Sequence, residues 1–187
     1  MDVLPRRAVM KGGLLAALAL TVGDRGVYLS PGEAHAQGVA LRTLKAEEAE
    51  TLGSLCEALV PDARKAGIVE YIDQQISGPP SEALLQARIL NVRPPFANFY
   101  RAAVGAVDKG VAARHAGKRF AQLSSDEARS FIKDMQANKI EGWQGPGTGF
   151  VYTVLRTDAV DVVYNTVAGY EALGVPYQAH ILPPKKW

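Results

Sequence analysis

The chain has 187 residues, 48% of them hydrophobic and 21% charged, with one cysteine and a formal net charge of +2. That length allows one domain with appendages, and that apolar fraction excludes a wholly disordered chain. The near-neutral balance offers no basic field to track phosphates, so nucleic acid is not an expected partner. One cysteine excludes an internal disulfide framework and a cysteine-rich zinc module.

The first 36 residues read as an address. Arg6 and Arg7 stand side by side, and residues 12–22 form an uncharged, mostly apolar run. A bilayer-spanning helix needs about 20 such residues, so the run suits the core of a signal peptide instead. Ala34-His35-Ala36 fits a small-x-small cleavage pattern, with Gln37 as the first mature residue. Paired arginines before a weakly hydrophobic core resemble a twin-arginine signal, and general secretion is the alternative route. The expected division is therefore a signal peptide over 1–36 and a domain over 37–187. Export places that domain in the periplasm.

The remainder predicts an all-α fold, a small domain of five to six helices with a long irregular C-terminal tail. Leu52, Leu55, Cys56, Leu59 and Val60 recur at helical spacing, with Thr43 as a cap and Pro61 as the stop. A second helix over about residues 64–77 buries Val69, Ile72 and Ile76, and Gly78-Pro79-Pro80 ends it. Ser81 caps a short third helix through Leu84, Leu85 and Ile89. Pro94-Pro95 breaks the chain again, and Phe96, Phe99, Tyr100, Ala103 and Val107 line a fourth helix running towards His115. Ser124 and Glu127 form a capping box for a fifth helix, flanked by Leu123 and Ala128 and burying Phe131, Ile132 and Met135. After the glycine-rich stretch 142–149, a last helix starts near Phe150. Its β-branched residues also suit a strand, but their spacing does not alternate. Beyond Tyr164, the glycines and prolines argue against regular structure.

Chemistry-bearing residues are few. His115 and His180 have no metal-ligand spacing around them, and no C-x-x-C-H motif attaches haem to this chain. Cys56 lies on an apolar helix face and reads as a packed thiol, with a bridge to another chain as the minority reading. Gly145, Gly147 and Gly149 lack the spacing and the preceding strand of a dinucleotide loop, so they read as a connector. Asp158 and Asp161 read as a solvated pair near Arg156. Lys109, Arg114, His115, Lys118 and Arg119 form the one basic cluster, expected as a helix-end feature or a partner contact. The apolar residues of the tail must be covered by this domain or by a partner. Tyr170, Tyr177, His180 and Trp187 are the candidate interface residues there.

The run TLKAEEAETLGSLCEALVPDARKAGIVEYIDQQI, residues 43–76, resembles the opening of the gluconate 2-dehydrogenase subunit 3 family. The carriers are Leu59-Val60-Pro61 and Val69-Glu70-Tyr71-Ile72-Asp73. LSSDEARSFIKDM, GFVYTVLRT and the ending GYEALGVPYQAHILPPKKW are similar to later family features. The resemblance implies a non-catalytic gamma subunit with no cofactor of its own. It also implies a large FAD-dependent partner of the glucose–methanol–choline type and a cytochrome subunit carrying haem c. In that picture this chain supplies the twin-arginine signal, escorts the flavoprotein and stabilises it. The alternative is a free-standing periplasmic helical enzyme or binding protein.

Overall fold

The computed structural model describes residues 18–22 and 25–176, with side chains from Leu29 onward. Arg6, Arg7, Tyr177, His180 and Trp187 lie outside the described residues. Two short strands, β1 (Leu18–Val22) and β2 (Arg25–Leu29), pair antiparallel with Leu18 opposite Leu29 and Val22 opposite Arg25. Among the described residues from Pro31 on, the regular elements are helical, so the expected all-α domain is what the chain forms. Eight α-helices are described, against the five to six expected. The two additional ones lie in the stretch read as a signal peptide and in the tail read as irregular. They are α1 (Pro31–Ala36) and α8 (Val167–Ala172).

Helix α2 (Ala46–Leu59) is central. It contacts α3 (Ile68–Ser77), α5 (Phe96–Arg114), the 3-10 turn Phe120–Gln122, α6 (Ser125–Gln136) and α7 (Thr148–Tyr164). Its Leu52, Leu55 and Cys56 are fully buried, as their spacing requires. Burying each large side chain contributes about 1.5–3 kcal/mol, which drives the outer helices onto this one. The cap of α2 is Lys45 and not Thr43, because Glu48 reaches back to accept from the Lys45 amide at 2.8 Å. The Thr43 amide is already taken by Asp73.

Helix α3 begins four residues later than its apolar pattern suggested. Gly67, at φ 85°, turns the chain into it, and the left-handed region is open to glycine at little steric cost. Helix α4 (Gln86–Ile89) is a single turn with Leu85, not Ser81, at its start. The capping box of α6 forms as read. The Glu127 amide donates to Ser124 Oγ, and the Ser124 amide donates to Glu127 Oε2 at 2.7 Å. That amide, followed by Lys118, holds the Glu127 carboxyl down at about 2. Helix α7 is a helix and not a strand. Val151, Val154, Leu155, Asp158, Ala159 and Val162 make one buried stripe at helical spacing.

Candidate partner-contact site

The Val69-x-Tyr71-Ile72-Asp73 run of α3 faces inward at every position named: all four side chains are buried. Asp73 sits 3% exposed, and its carboxylate accepts three backbone amides in a row. These come from Arg42 (2.7 Å), Thr43 (2.9 Å) and Leu44 (2.7 Å). Three charge-assisted bonds clamp the segment ahead of α2 onto α3. Tyr71 works in the other direction, donating its hydroxyl to the Leu84 carbonyl at 3.0 Å.

That tyrosine is one of several polar anchors on the segment 83–90. The Leu84 amide donates to Gln75 Oε1 at 2.7 Å, and Arg88 Nη1 donates to the Ala83 carbonyl at 3.0 Å. The Gln86 amide donates to Asp158 Oδ1 of α7 at 2.8 Å, while Tyr100 of α5 donates its hydroxyl to Asp158 Oδ2 at 2.6 Å. Ala83, Leu85 and Ala87 turn into the core. Leu84, Ile89 and Leu90 point outward, 48%, 66% and 39% exposed. A short irregular segment, fixed by side chains of α3 and α7, thus holds apolar residues in water. Such residues have a physical use when something covers them.

Asp158 was expected in solvent beside Arg156. It is 1% exposed, whereas Arg156 faces outward. Its place on the stripe between Val154 and Val162 was the available cue. Burial is the largest influence on it and raises its carboxyl to about 7, against the favourable bonds from Tyr100 and the Gln86 amide. The sign for stability follows. The folded chain holds this proton more tightly than the unfolded chain, whose aspartate titrates near 3.8. The contribution is therefore complete below that value and is lost as pH rises through about 7. We expect Asp158→Asn to become progressively more stable relative to the natural chain as pH is raised from about 4 to about 8. Urea unfolding across that range checks it, and parallel stability profiles for the two proteins would refute it. Asp161, half-buried one turn on, is also shifted upward by burial.

Other sequence candidates resolve differently. The basic cluster is largely neutralised from within. Arg119 pairs with Asp108 at 3.0 Å, Lys118 with Glu127 at 3.1 Å, and Arg114 with Asp134 at 2.7 Å. Asp108 also accepts from Thr51 and the Phe120 amide, so this group ties α5, α2 and the 3-10 turn together. Cys56 is fully buried, and burial pushes its thiol upward, away from the reactive thiolate. The bridging reading of Cys56 is therefore dropped for the folded chain. The stretch 142–149 joins two helices. Gly147 precedes α7, and the Gly149 amide donates to Asn138 at 2.9 Å. It does not form the strand–loop–helix cradle of a dinucleotide site. Among the described residues there is no metal-holding cluster of His, Cys, Asp and Glu. No described helix is long and apolar enough to cross a membrane.

The C-terminal region corrects one expectation. Thr166 Oγ1 accepts from the Gly169 amide and starts α8, which returns along α7. A Cβ on Gly169 would lie 2.5 Å from the Tyr164 carbonyl oxygen, so the glycine that was read as a breaker permits this contact. Tyr170 is half-buried on α8 and lines a cleft of about 410 Å³ with Tyr164, Leu173 and Val175. Of the signal-cleavage residues, Ala34 is fully buried, while Ala36 and Gln37 are exposed.

Fold and site together define a small helical domain whose polar constellations serve as structural anchors beneath outward apolar residues. A family model described as gluconate 2-dehydrogenase subunit 3 matches residues 46–180, and the chain belongs to that family. It is accordingly a subunit type found within a multi-subunit dehydrogenase complex. The comparisons with curated proteins and with solved structures gave no match.

Proposed function

We propose that the chain is the non-catalytic small subunit of an exported dehydrogenase acting on a sugar or sugar acid. Its partner is a large FAD-dependent subunit of the glucose–methanol–choline type. Hydride leaves the substrate on the partner's flavin, and a cytochrome c subunit, held at the membrane, takes the electrons onward. The small subunit carries the twin-arginine address, escorts the flavoprotein to the periplasm and stabilises it there.

The observation behind this reading is the anchored segment 83–90, whose backbone bonds to Tyr71 and Gln75 of α3 and to Asp158 of α7 while Leu84, Ile89 and Leu90 stay exposed. A surface held in this way is one that a partner covers. Tyr177, His180 and Trp187 are further proposed contact residues, since aromatic residues with polar tips anchor interfaces.

Replacing Arg6 and Arg7 together with lysine tests the escort. The expected result is that this chain and the flavoprotein both remain in the cytoplasm, with periplasmic dehydrogenase activity lost. Unchanged periplasmic activity removes the escort role. The free-standing alternative has its own readout. Purified chain that shows flavin absorbance, or that oxidises a sugar acid with an artificial acceptor, establishes it in place of the subunit reading.

A further inference from the structure

We infer that the folded chain is not cut between Ala36 and Gln37, and that the mature protein keeps Pro31–Ala36, with its Ser30 cap, as its first helix. A signal peptidase takes its substrate extended, with the small side chains before the cut seated in the enzyme. Here those residues are helical and partly buried. Ser30 caps α1, its amide donating to Glu33 Oε2 at 2.7 Å while its hydroxyl accepts from the Glu33 amide. Ala34, which would have to enter the enzyme, is fully buried.

The bond in question lies inside the helix terminus. The Val39 amide donates to the Ala34 carbonyl at 3.1 Å, and the Gly38 amide donates to the His35 carbonyl at 3.0 Å. Gly38 stands at φ 61°. This pair of bonds around a left-handed glycine is a Schellman closure, and the Ala36–Gln37 peptide is within it. Cleavage there requires both the closure and the last turn to open.

The body of the domain is also shaped to receive α1. A Cβ on Gly67 would lie 2.0 Å from the Pro31 carbonyl oxygen and 2.7 Å from the Gly32 nitrogen. A Cβ placed on Gly32 would in turn lie 3.3 Å from the Lys65 carbonyl oxygen. His35 Nδ1 meets Glu70 Oε1 at 3.0 Å, with the Glu70 side chain 13% exposed. Glu70 Oε2 is buried with no protein partner. Removal of α1 would take the His35 partner from that carboxylate, and would expose the backbone around Gly67.

The inference about processing rests on the proposed folded export, because only a chain that folds before it meets the peptidase is protected this way. The primary test is N-terminal sequencing and intact mass of the chain recovered from the periplasm of the native host. An N-terminus upstream of Ser30 is expected, and Gln37 as the N-terminus overturns the inference. Ala36→Leu gives a second readout, since the side chain is exposed and a bulky residue blocks cleavage after it. The variant is expected to keep the natural N-terminus and yield; a changed N-terminus overturns the inference. Hydrogen exchange on the purified full chain decides separately from export. Amides of Gln37 and Val39 protected like those of α3 support the fold of α1, and exchange at free-peptide rates overturns it. Failure of export alone would show as an absence of periplasmic chain with that protection intact, which faults the route and not α1.

Discussion

Exchanging Leu84 and Ile89 together for glutamate is expected to weaken binding of the large subunit by 100-fold or more, with the domain still folded. Both side chains lie largely in solvent, and their neighbours Leu85 and Ala87 carry the packing of this segment. The anchors on Leu84 are to its amide and carbonyl, which a glutamate also has. The cost to the free chain is therefore expected within about 0.5 kcal/mol, the usual range for surface changes. At an interface, the same two positions would place carboxylates against a desolvated apolar surface. Truncating a central apolar anchor costs about 2–4 kcal/mol, or about 30- to 1000-fold in affinity, and a buried unpaired charge adds to that. Leu85→Ala serves as the contrast, because it should lower stability by about 2–5 kcal/mol through a core cavity. The measurement is co-purification of tagged chain with the flavoprotein, alongside circular dichroism of the chain. Full-yield co-purification by the double variant would show that the partner sits elsewhere.

The long helices were legible because their apolar spacing is itself the physical cause of their burial. Leu52, Leu55 and Cys56 in α2, and Phe131 with Met135 in α6, fall where the period places them. The Ser124–Glu127 box was legible for the same reason, since its bonds span only three residues. What escaped depends on partners distant in sequence. The Ser30-x-x-Glu33 box stood in the chain, but the stretch was read as an address, and the seat of α1 depends on the close approach of Gly67 to Pro31. Gly169 reads as a helix breaker until the Tyr164 backbone beneath it is known.

Asp158 and Asp73 show the same limit for the candidate site. A carboxylate on a helix is ordinarily solvated, and only the apolar residues one turn to each side mark Asp158 as inward. Its partners, Tyr100 and the Gln86 amide, come from two other elements. The outward residues Leu84 and Ile89 looked like core positions, because sequence periodicity registers apolar character without telling which solvent-facing surface a partner will cover. The anchored segment has a single helical turn, too short for its own period to decide the question.

Asp73→Ala is expected to lower stability by about 3–4 kcal/mol, a substantial part of what holds a small domain folded. The carboxylate satisfies three consecutive amides at 2.7–2.9 Å, and Leu44 among them is buried. Alanine leaves those donors without an acceptor in a place where water cannot fully replace it, and each such loss costs about 1–3 kcal/mol, less than additively for neighbours. Asp73→Asn keeps one acceptor oxygen for the Thr43 and Leu44 amides but turns a donor group towards the Arg42 amide, so it should fall between the natural chain and alanine. The damage should be local in origin. The segment 37–45 links α1 to α2, and Arg101 donates to the Thr43 carbonyl from the side of α5. Freed from Asp73, that link loses its position on α3, and α1 loses part of its tether with it. Urea unfolding should show the ranking natural, asparagine, alanine. Hydrogen exchange should show protection at Arg42–Leu44 falling first in alanine. A loss below about 1 kcal/mol, the worth of a single ordinary hydrogen bond, would mean that the three amides find other acceptors and that Asp73 does not hold the α1–α2 link in place.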